Sequence, residues 1–406
     1  MDADAAESPQ RVRAALRRHG LVRRPLALRR YLRRQGLRFT DGNRVALYVT
    51  GEAGLAAMLA AIESATRRIH LETYILRGDL TGRRFLAALT RKARGGVAVR
   101  LIFDAVGSLR LDPAELDALR EAGGEVLSFN PLRRFYPRWL PRRRDHRKIL
   151  VVDGRVAFTG GLNIGDEYNL GPPAGAASWR DTHLQVEGPA VQDLEAVFLE
   201  SWFRADGSEL PWGQLLGAPA GVAGGDRVAV VADGPSYRRR VVRDLVLLAL
   251  ATARHTVCLT SPYFAPDPRV LAAIEHTARR GVAISLLVAG RTDHPLLRRA
   301  TRNLIPRLLA AGVAVYEYDH SMLHAKTTVV DGVWTLAGTS NLDRQSFEHS
   351  YEVNLVVEGG ALPGQLAAVH AADLQRATRV DAAHLARRGL VERTLDRAAA
   401  AALWFV

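Results

Sequence analysis

The chain has 406 residues, of which 48% are hydrophobic and 24% charged, and this composition indicates globular domains and excludes a wholly disordered chain. The length allows two or three domains, and the single cysteine, Cys258, excludes a disulfide framework and any zinc site built on cysteine pairs. The formal net charge is +14, and because it is concentrated in two patches it indicates an anionic partner.

Residues 1–40 are predicted to form a basic amphipathic extension. Between Arg11 and Phe39 there are eleven arginines and no acidic residue, and apolar side chains alternate with them. Such a segment fits an anionic membrane surface, and a solvated basic arm is the alternative. Residues 1–10 are polar and lack the apolar region of a signal peptide, and no stretch reaches eighteen apolar residues. We therefore expect a cytoplasmic protein without a transmembrane span.

Two α/β halves are predicted next, over 41–216 and 226–375, because their sequences repeat one pattern. Each half has a helix, an apolar run, a second helix and a second apolar run, at 56–68, 69–75, 82–94 and 96–103, and again at 241–254, 257–264, 269–280 and 281–288. This alternation predicts βαβ units on a largely parallel sheet. A small-residue linker, 217–225, divides the halves, and a helical tail, 376–406, follows them. Its last residues, Leu403–Val406, either contact a membrane interface or dock on the body.

The motif H-x-K-x4-D occurs once in each half. Its two copies comprise His146, Lys148 and Asp153 in the first half, and His324, Lys326 and Asp331 in the second. A histidine and a lysine two residues apart on a strand project from one face, and Asp-Gly between β-rich runs predicts a hairpin turn. Further residues occur at the same distances from the motif in both halves, and we therefore predict that all six motif residues are catalytic.

Further polar residues follow each motif at similar distances. Asn163 and Asn341 each lie 17 residues after the motif histidine. Glu352 lies 28 residues after the second histidine, and Asp181 lies 35 residues after the first. The seven extra residues fit an insertion in the Gly/Pro/Ala-rich loop 171–177. We predict that these four side chains bind phosphate or orient the imidazoles.

Two histidines, two lysines and two asparagines would surround a small anion, and a phosphodiester suits this arrangement. One neutral imidazole can attack phosphorus to give a phosphohistidine, and a second, protonated imidazole can donate its proton to the departing alkoxide. The lysines and asparagines would stabilise charge on the non-bridging oxygens, while Asp181 and Glu352 would fix the imidazole tautomers. We expect no metal and no cofactor, since the lysines supply the positive charge. The residues alone leave open which histidine attacks.

At these residues the sequence resembles the phospholipase D superfamily, named for its two HKD motifs, and within it the bacterial cardiolipin synthases. The resemblance covers about 40–375 and includes the blocks 143–148, 158–163, 179–183 and 338–343. It implies a monomer of two phospholipase D-like α/β halves, each a mostly parallel mixed sheet flanked by helices, with the active site on a pseudo-twofold axis between them. The implied reaction moves a phosphatidyl group from one phosphatidylglycerol to another and releases glycerol, with His146 as the nucleophile and His324 as the general acid.

Two other activities stay open, a phospholipase D-type phosphodiesterase that uses water and a superfamily nuclease. The two basic patches, Arg11–Phe39 and Arg133–Arg144, contain aromatic residues and are confined in sequence, which favours lipid over nucleic acid. We expect phosphatidylglycerol as the anionic substrate and no nucleic-acid partner. Both patches are expected to contact a membrane, which would place the protein peripherally at the cytoplasmic face. Without an N-terminal pair of transmembrane segments, the sequence resembles the shorter, peripheral subclass of the cardiolipin synthases.

Overall fold

The computed structural model describes residues 26–131, 143–169, 178–208, 210, 224–237, 240–386 and 388–404. Several sequence-based predictions therefore lie outside the described residues: those for 11–25, for the basic patch over 132–142, for the loop 171–177 and for most of the linker 217–225.

The first half contains both helices and strands in the predicted alternation. Its helices are α1 (Leu26–Arg34), α2 (Gly51–Ser64), α3 (Leu80–Arg94), α4 (Asp117–Glu121), α5 (Asp166–Asn169) and α6 (Ala190–Asp206). Its strands are β1 (Thr40–Tyr48), β2 (Arg68–Thr73), β3 (Ala98–Asp104), β4 (Glu125–Phe129), β5 (Arg144–Asp145), β6 (Ile149–Val152), β7 (Val156–Gly160) and β8 (His183–Glu187).

The second half repeats this order and adds a helical tail. Its helices are α7 (Val241–Thr252), α8 (Pro268–Arg279), α9 (Pro295–Ala310), α10 (Arg344–Glu348), α11 (Leu362–Gln375), α12 (Ala382–Ala386) and α13 (Leu390–Trp404). Its strands are β9 (Asp226–Asp233), β10 (Thr256–Thr260), β11 (Phe264–Ala265), β12 (Ala283–Ala289), β13 (Ala314–Tyr318), β14 (Thr327–Val330), β15 (Trp334–Gly338), β16 (Leu342–Asp343), β17 (Ser350–Glu358) and β18 (Thr378–Val380). None of the helices in these described ranges has the length and hydrophobicity of a membrane span.

One continuous sheet joins the two halves. Its strand order is β18-β13-β12-β10-β14-β15-β17-β9-β1-β8-β7-β6-β2-β3-β4, and β5 pairs with β17. At its centre β9 and β1 pair antiparallel. Outward from this pair, equivalent strands of the two halves follow in the same order on both sides. The predicted pseudo-twofold arrangement is therefore confirmed within one sheet.

The sheet is mixed, and its parallel part is smaller than the sequence suggested. Strands β2, β3 and β4 are parallel, as are β10, β12 and β13, because helices connect them as crossovers. The motif strands β6 and β14 instead pair antiparallel with both neighbours, since tight hairpins join them to β7 and β15. The α/β class is confirmed, and the mostly parallel character holds for three strands in each half.

Aspartates at equivalent positions begin the crossover helices α3 and α8. The Asp79 carboxylate accepts a hydrogen bond from the Gly82 N–H at 2.9 Å. The Asp267 carboxylate accepts from the N–H groups of Arg269 and Val270 at 2.8 and 3.0 Å. Each carboxylate satisfies donors that a helix N-terminus leaves without an intrahelical partner. The internal repeat therefore extends to the helix caps.

Helix α1 is part of the hydrophobic core of the second half. Its residues Ala27, Leu28, Tyr31 and Leu32 are buried, and they pack in one cluster with side chains of α7. The Tyr31 hydroxyl donates to the Asp244 carboxylate at 3.0 Å. The expectation that this apolar face contacts a membrane is therefore wrong, because the protein core covers it. An amphipathic pattern does not distinguish a membrane from a protein core, because either can cover its apolar face.

The end of the second basic patch is also inside the protein. Arg144 is buried in β5, where its guanidinium pairs with the Asp104 carboxylate at 3.3 Å. The predicted membrane contact through Arg133–Arg144 is therefore wrong for this last residue. A buried arginine must be paired, and the position of Asp104 at the end of β3 supplies the partner.

The aspartate of each motif forms the predicted hairpin turn. Asp153 and Asp331 have left-handed backbone conformations with φ of 55° and 52°, and each is followed by a glycine with positive φ. Two successive residues with positive φ are typical of the type I′ turn that joins twisted antiparallel strands.

The carboxylates of Asp153 and Asp331 bind each turn to the start of the neighbouring strand, β2 in the first half and β10 in the second. The Asp153 carboxylate accepts from the backbone N–H groups of Thr66, Arg67 and Arg68. The Asp331 carboxylate accepts from those of Arg254, His255 and Thr256. Partial burial opposes ionisation, but these hydrogen bonds outweigh it and lower the pKa of both carboxyls. The catalytic role predicted for Asp153 and Asp331 is therefore corrected to a structural one.

We expect Asp153→Asn and Asp331→Asn each to reduce the free energy of unfolding by about 2 kcal/mol, because each removes charge-assisted hydrogen bonds and leaves a backbone donor facing an amide. Asparagine tolerates positive φ, so the turn itself is preserved. Urea denaturation at neutral pH measures the change, with Glu121→Gln as an exposed carboxylate-to-amide control. Unchanged denaturation midpoints in both variants would contradict the structural role.

Candidate active site

The two motif histidines are each held by the backbone of the opposite half. The His146 N–H donates to the carbonyl of Tyr351 at 2.9 Å, where β5 runs parallel to the start of β17. The His324 N–H donates to the carbonyl of Arg180 at 2.7 Å, at a parallel bridge between Arg180 and Leu323. Because the same contact occurs twice, each histidine lies beside the carboxylate that follows its backbone partner in sequence.

The imidazoles are paired crosswise with the two predicted carboxylates. His146 Nδ1 lies 3.1 Å from both carboxylate oxygens of Glu352, which belongs to the second half. His324 Nδ1 lies 2.7 Å from Oδ2 of Asp181, which belongs to the first half. The prediction that these carboxylates orient the imidazoles is supported by these contacts. The crossing itself has no signal in the linear sequence.

These contacts define the reactive nitrogen of each ring. A carboxylate accepts only, so an Nδ1–H facing it leaves the Nε2 lone pair of a neutral imidazole free. Among the described residues neither Nε2 has a hydrogen-bond partner. Both rings therefore present Nε2 as the nucleophilic or proton-carrying atom.

His324 lies in an aromatic enclosure. The rings of Tyr168, Trp179 and Tyr263 have centroids 5.7, 5.6 and 6.3 Å from its imidazole. Burial and the neighbouring Lys326 ammonium lower the pKa of His324 to about 4, although the Asp181 carboxylate opposes this. The imidazole is therefore neutral at pH 7.

His146 has a more open environment. The ring of Tyr74 lies 5.1 Å from its imidazole in an edge arrangement, and 13% of the His146 side chain is exposed against 6% for His324. Burial lowers the pKa of His146 as well, and the Glu352 carboxylate opposes the change. Equivalent histidines thus have unequal surroundings, which is the condition for giving them opposite roles.

Both lysines are buried and directed along the same side as the histidines. Lys148 Nζ donates to the carbonyl of His146 at 2.9 Å and lies 5.3 Å from the ring centre of Tyr74. Lys326 Nζ donates to the carbonyl of His324. Burial lowers the pKa of Lys148 to about 7 and that of Lys326 to about 8, despite the nearby carboxylates. The site therefore contains two ammonium groups whose charge an anionic ligand would stabilise.

The carboxylates that orient the imidazoles stay ionised despite their burial. For Asp181, burial opposes ionisation, but His324 and Lys326 outweigh it and lower its pKa. For Glu352, the pKa is lowered in the same way by His146 and by a hydrogen bond from Thr339. A Cβ on Gly161 would lie only 1.9 Å from the Asp181 carboxylate, so this glycine makes room for it.

The two asparagines have different surroundings. The Asn163 side chain accepts from the Ile75 N–H at 3.2 Å and donates to the Tyr168 hydroxyl at 2.8 Å, so its amide is already engaged. The Asn341 carbonyl oxygen is buried without a hydrogen-bond partner among the described residues. The predicted phosphate contact of Asn163 is therefore replaced by a positioning role through Tyr168, whose hydroxyl lies 3.3 Å from His324 Nδ1.

Arg147 lies between the histidine and the lysine of the first motif, and the sequence predicted no role for it. Its guanidinium is fully buried and contacts Ser201, Glu200 and Tyr237 at 2.8, 3.2 and 3.1 Å. It joins the motif to α6 and to the second half. The equivalent Ala325 is also buried but has no such group, so the two motifs are fixed by different means.

The aromatic residues around the histidines could have been found from the repeat. Tyr74 comes directly after β2 and Tyr263 three residues after the equivalent strand β10, and they contact His146 and His324 respectively. Tyr168 has no equivalent signal, because it follows a loop whose folding only the structure reveals. In the described parts of the chain no three His, Cys, Asp or Glu side chains are grouped as a metal ion would require.

The arrangement as a whole suits substitution at a phosphodiester. Two free Nε2 atoms, two ammonium groups and a rim of tyrosine and tryptophan rings lie together at the boundary between the halves. One imidazole can act as a nucleophile while the other transfers a proton, and the ammonium groups can neutralise the non-bridging oxygens.

Comparison with known structures supports the fold. A crystal structure of phosphatidylserine synthase from Haemophilus influenzae Rd KW20 superposes with a TM-score of 0.69 over 93% of this chain and 98% of that one, at 13% sequence identity. Polyphosphate kinase from Porphyromonas gingivalis gives a TM-score of 0.56 over 90% of this chain and 53% of that one, also at 13% identity. At this level of identity the likeness extends to the fold alone.

Comparison with known sequences is more specific. A cardiolipin synthase of Geobacillus kaustophilus (strain HTA426) is 40% identical over 313 residues, which cover 77% of this chain and 62% of that protein. A cardiolipin synthase of Geobacillus sp. (strain WCH70) is 37% identical over 348 residues, 85% of this chain and 69% of that one. The chain thus spans less than two thirds of the first relative.

The family model described as "Cardiolipin synthase, PLD-like domain" matches residues 58–202 and 246–374, one segment in each half. Each segment contains one complete motif together with the carboxylate that serves the opposite histidine. With this match over most of the chain, and relatives at 37–40% identity, the chain belongs to the cardiolipin synthase family with phospholipase D-like domains.

Proposed function

We propose that the protein is a phosphatidyltransferase that makes cardiolipin from two molecules of phosphatidylglycerol. The observation that carries this proposal is the crosswise pairing of His146 with Glu352 and of His324 with Asp181, in a chain that belongs to the cardiolipin synthase family. The pairing supplies two oriented imidazoles at one site, which is what a double-displacement reaction at phosphorus needs.

In the first step, Nε2 of one histidine attacks phosphorus of a phosphatidylglycerol. The bond from phosphorus to the glycerol oxygen breaks, and the second histidine gives its proton to that oxygen, so that glycerol leaves. In the second step, the now neutral second histidine takes a proton from a hydroxyl of another phosphatidylglycerol. That oxygen attacks phosphorus, cardiolipin forms, and the first histidine is regenerated. The two steps are reverse images, so one pair of imidazoles serves both.

We propose His146 as the nucleophile and His324 as the general acid, as the family resemblance implies. The enclosure of His324 by itself favours the reverse assignment, because burial lowers its pKa to about 4 and keeps its Nε2 unprotonated. A bound phosphodiester adds a negative charge beside both imidazoles and stabilises their protonated forms. The location of the covalent intermediate therefore decides between the two assignments.

The aromatic rim supports an alcohol as the acceptor. Water competes with the second phosphatidylglycerol for the phosphohistidine, and exclusion of water from the site favours transfer. Tyr74, Tyr168, Trp179 and Tyr263 enclose the two imidazoles with apolar ring surface. Hydrolysis by a phospholipase D-type reaction is the second candidate, since the same intermediate reacts with water when the acceptor is absent.

We propose further that the protein acts peripherally, at the cytoplasmic face of the cell membrane, as a monomer without metal or cofactor. The lysines and histidines come from one chain, so one copy holds a full set of reacting groups. Residues 11–25 keep six of the eleven arginines of the N-terminal segment and stay proposed as a membrane contact.

The transferase proposal predicts that the purified protein converts detergent-dispersed phosphatidylglycerol into cardiolipin and glycerol in equal amounts. We expect His146→Ala and His324→Ala each to reduce turnover by about 100-fold or more, because each removes one reacting group. Mass analysis of the lipids gives the readout, and His255→Ala is the control for an exposed histidine. Phosphatidic acid as the sole product would establish the hydrolase instead, and the absence of any lipid product would direct the search to nucleic-acid phosphodiesters.

The role assignment predicts where the phosphatidyl group is held. With phosphatidylglycerol labelled in its phosphate, we expect His324→Ala protein quenched in alkaline detergent, which preserves the P–N bond, to keep covalent label on His146, whereas His146→Ala protein stays unlabelled. The reason is that only the nucleophile is needed to form the intermediate, while loss of the general acid slows both steps. Label on His324 in the unmodified protein would reverse the assignment.

The buried lysines predict unusual titration. The chain contains three lysines, Lys92, Lys148 and Lys326, so lysine-selective carbon-13 labelling gives three side-chain resonances, and Lys92→Arg identifies one of them. We expect midpoints near 7 for Lys148 and near 8 for Lys326, because burial disfavours the ammonium form. Above these values the positive charge is lost, so turnover should also fall as the pH rises past 8. Midpoints above 10 for both lysines would contradict the buried site.

A further inference from the structure

The C-terminal helices enclose a second cavity, remote from the motif histidines. Helices α12 and α13 fold back on α9 and leave a cavity of about 530 Å³. Four arginines line it, and its other lining residues include one carboxylate and one leucine: Arg302, Arg388, Arg393, Arg397, Asp396 and Leu385. This composition indicates a ligand with negative charge and an apolar part.

The positive charge of the cavity exceeds its internal pairing. Arg302 pairs with Glu317 at 3.0 Å, and Arg388 pairs with Asp396, which also contacts Arg299 at 3.4 Å. The Nε of Arg388 is nonetheless buried without a hydrogen-bond partner within the described ranges. Burial, together with the nearby Arg302, lowers the pKa of Arg388, which is the sign of positive charge that is incompletely neutralised.

The two remaining arginines have no carboxylate partner in the described part of the chain. Arg393 donates to the carbonyl of Leu385 at 3.3 Å, and Arg397 lies exposed one turn further along α13. Both guanidinium groups are therefore available to an anion that enters the cavity from solvent. Two arginines that approach one phosphate from the same helix form charge-assisted hydrogen bonds.

An unpartnered apolar face lies beside the cavity on α13. Leu390, Val391 and Leu395 are 80%, 73% and 46% exposed, and their spacing places them on one side of the helix. Asp396 and Ala399 of the same helix are buried against α9. Helix α13 thus has one side docked, one side apolar and exposed, and arginines along the border, which is the pattern of a helix that lies in a membrane interface.

Helix α13 packs antiparallel to α9. Arg299 near the start of α9 pairs with Asp396 near the middle of α13, and later residues of α9 share the cavity with earlier residues of α13. Helix α9 begins directly after Asp293 and His294, and the Asp293 carboxylate accepts from the hydroxyl of Tyr263 at 2.5 Å. The C-terminal end of α13 is therefore directed toward the rim of the candidate active site, and the exposed apolar face lies at the other end of the helix.

We propose that α12, α13 and the arginine-lined cavity form a second binding site, for an anionic phospholipid of the membrane. The phosphate of the headgroup lies among Arg388, Arg393 and Arg397, and the exposed leucine and valine side chains contact the acyl region. An apolar face has no use in binding a soluble phosphate or nucleic acid, and this argues for lipid as the occupant. The site contains none of the reacting groups and takes no part in the proposed transferase chemistry. It would hold the protein on the membrane surface that carries the substrate.

The test is vesicle sedimentation of the full chain. Vesicles of equal parts phosphatidylglycerol and phosphatidylcholine are compared with vesicles of phosphatidylcholine alone. The variants are Arg393→Ala with Arg397→Ala, which removes the charges, and Leu390→Ser with Val391→Ser, which removes exposed apolar contacts. The matched control is Arg84→Ala with Arg94→Ala, since these exposed arginines of α3 carry the same charge in the other half.

We expect the arginine pair to lower the partition coefficient on the phosphatidylglycerol vesicles by about tenfold or more, because each arginine near an anionic surface contributes to binding. The leucine and valine pair should lower it on the same vesicles, while the control pair changes it less than twofold. Partition coefficients are compared because residues 11–25 also carry arginines. Circular dichroism and thermal unfolding check that all four substituted residues leave the fold intact.

Three results would overturn the proposal. One is equal binding by the arginine pair and the parent protein, and another is an equal loss in the control pair, which would indicate non-specific attraction by net charge. The third is a combination of two observations: the Leu390→Ser, Val391→Ser variant binds vesicles as the parent protein does, and calorimetry shows binding of glycerol 3-phosphate that the Arg393→Ala, Arg397→Ala variant has lost. A soluble anion would then be the occupant. Sedimentation needs no turnover, so its outcome is independent of the transferase assay.

Discussion

The active site depends on a reciprocal exchange between the two halves. The carbonyl of Tyr351 holds the backbone of His146, and the next residue, Glu352, orients its imidazole; Arg180 and Asp181 do the same for His324. Neither half by itself contains a motif histidine together with the carboxylate that orients it. The continuous sheet makes this exchange rigid, because β1 and β9 pair at the pseudo-twofold axis and fix the two motifs relative to each other.

This exchange concentrates charges that would be costly to bury separately. Two carboxylates, two lysines and two imidazoles lie in a low-dielectric site, where an uncompensated charge loses several kcal/mol of solvation. The carboxylates keep lowered pKa values because the cationic groups surround them, whereas the lysines and histidines have lowered pKa values because burial dominates. A phosphodiester would reverse the second effect. Entry of an anion would therefore increase the positive charge of this site.

The backbones of the two motifs are related by symmetry, but the side chains around the two histidines are not. His324 lies among Tyr168, Trp179 and Tyr263, while His146 faces Tyr74 and is anchored through the buried Arg147, whose counterpart is Ala325. A duplicated motif supplies two chemically identical imidazoles, and a reaction with one nucleophile and one acid needs them to differ. Tyr168 in α5 and Trp179 provide that difference, since both contact His324.

The sequence by itself determined the repeat, the two motifs, the fold class and the pair of carboxylates, because these are properties of spacing and periodicity. It could also have yielded Tyr74 and Tyr263, which follow the equivalent strands β2 and β10. Only the tertiary structure decided which carboxylate serves which histidine, since the partners are 206 and 143 residues apart and no local pattern records such a contact. It also decided that Asp153 and Asp331 fasten hairpins, and that the apolar face of α1 lies in the core, because an amphipathic segment has the same pattern whichever apolar surface covers it.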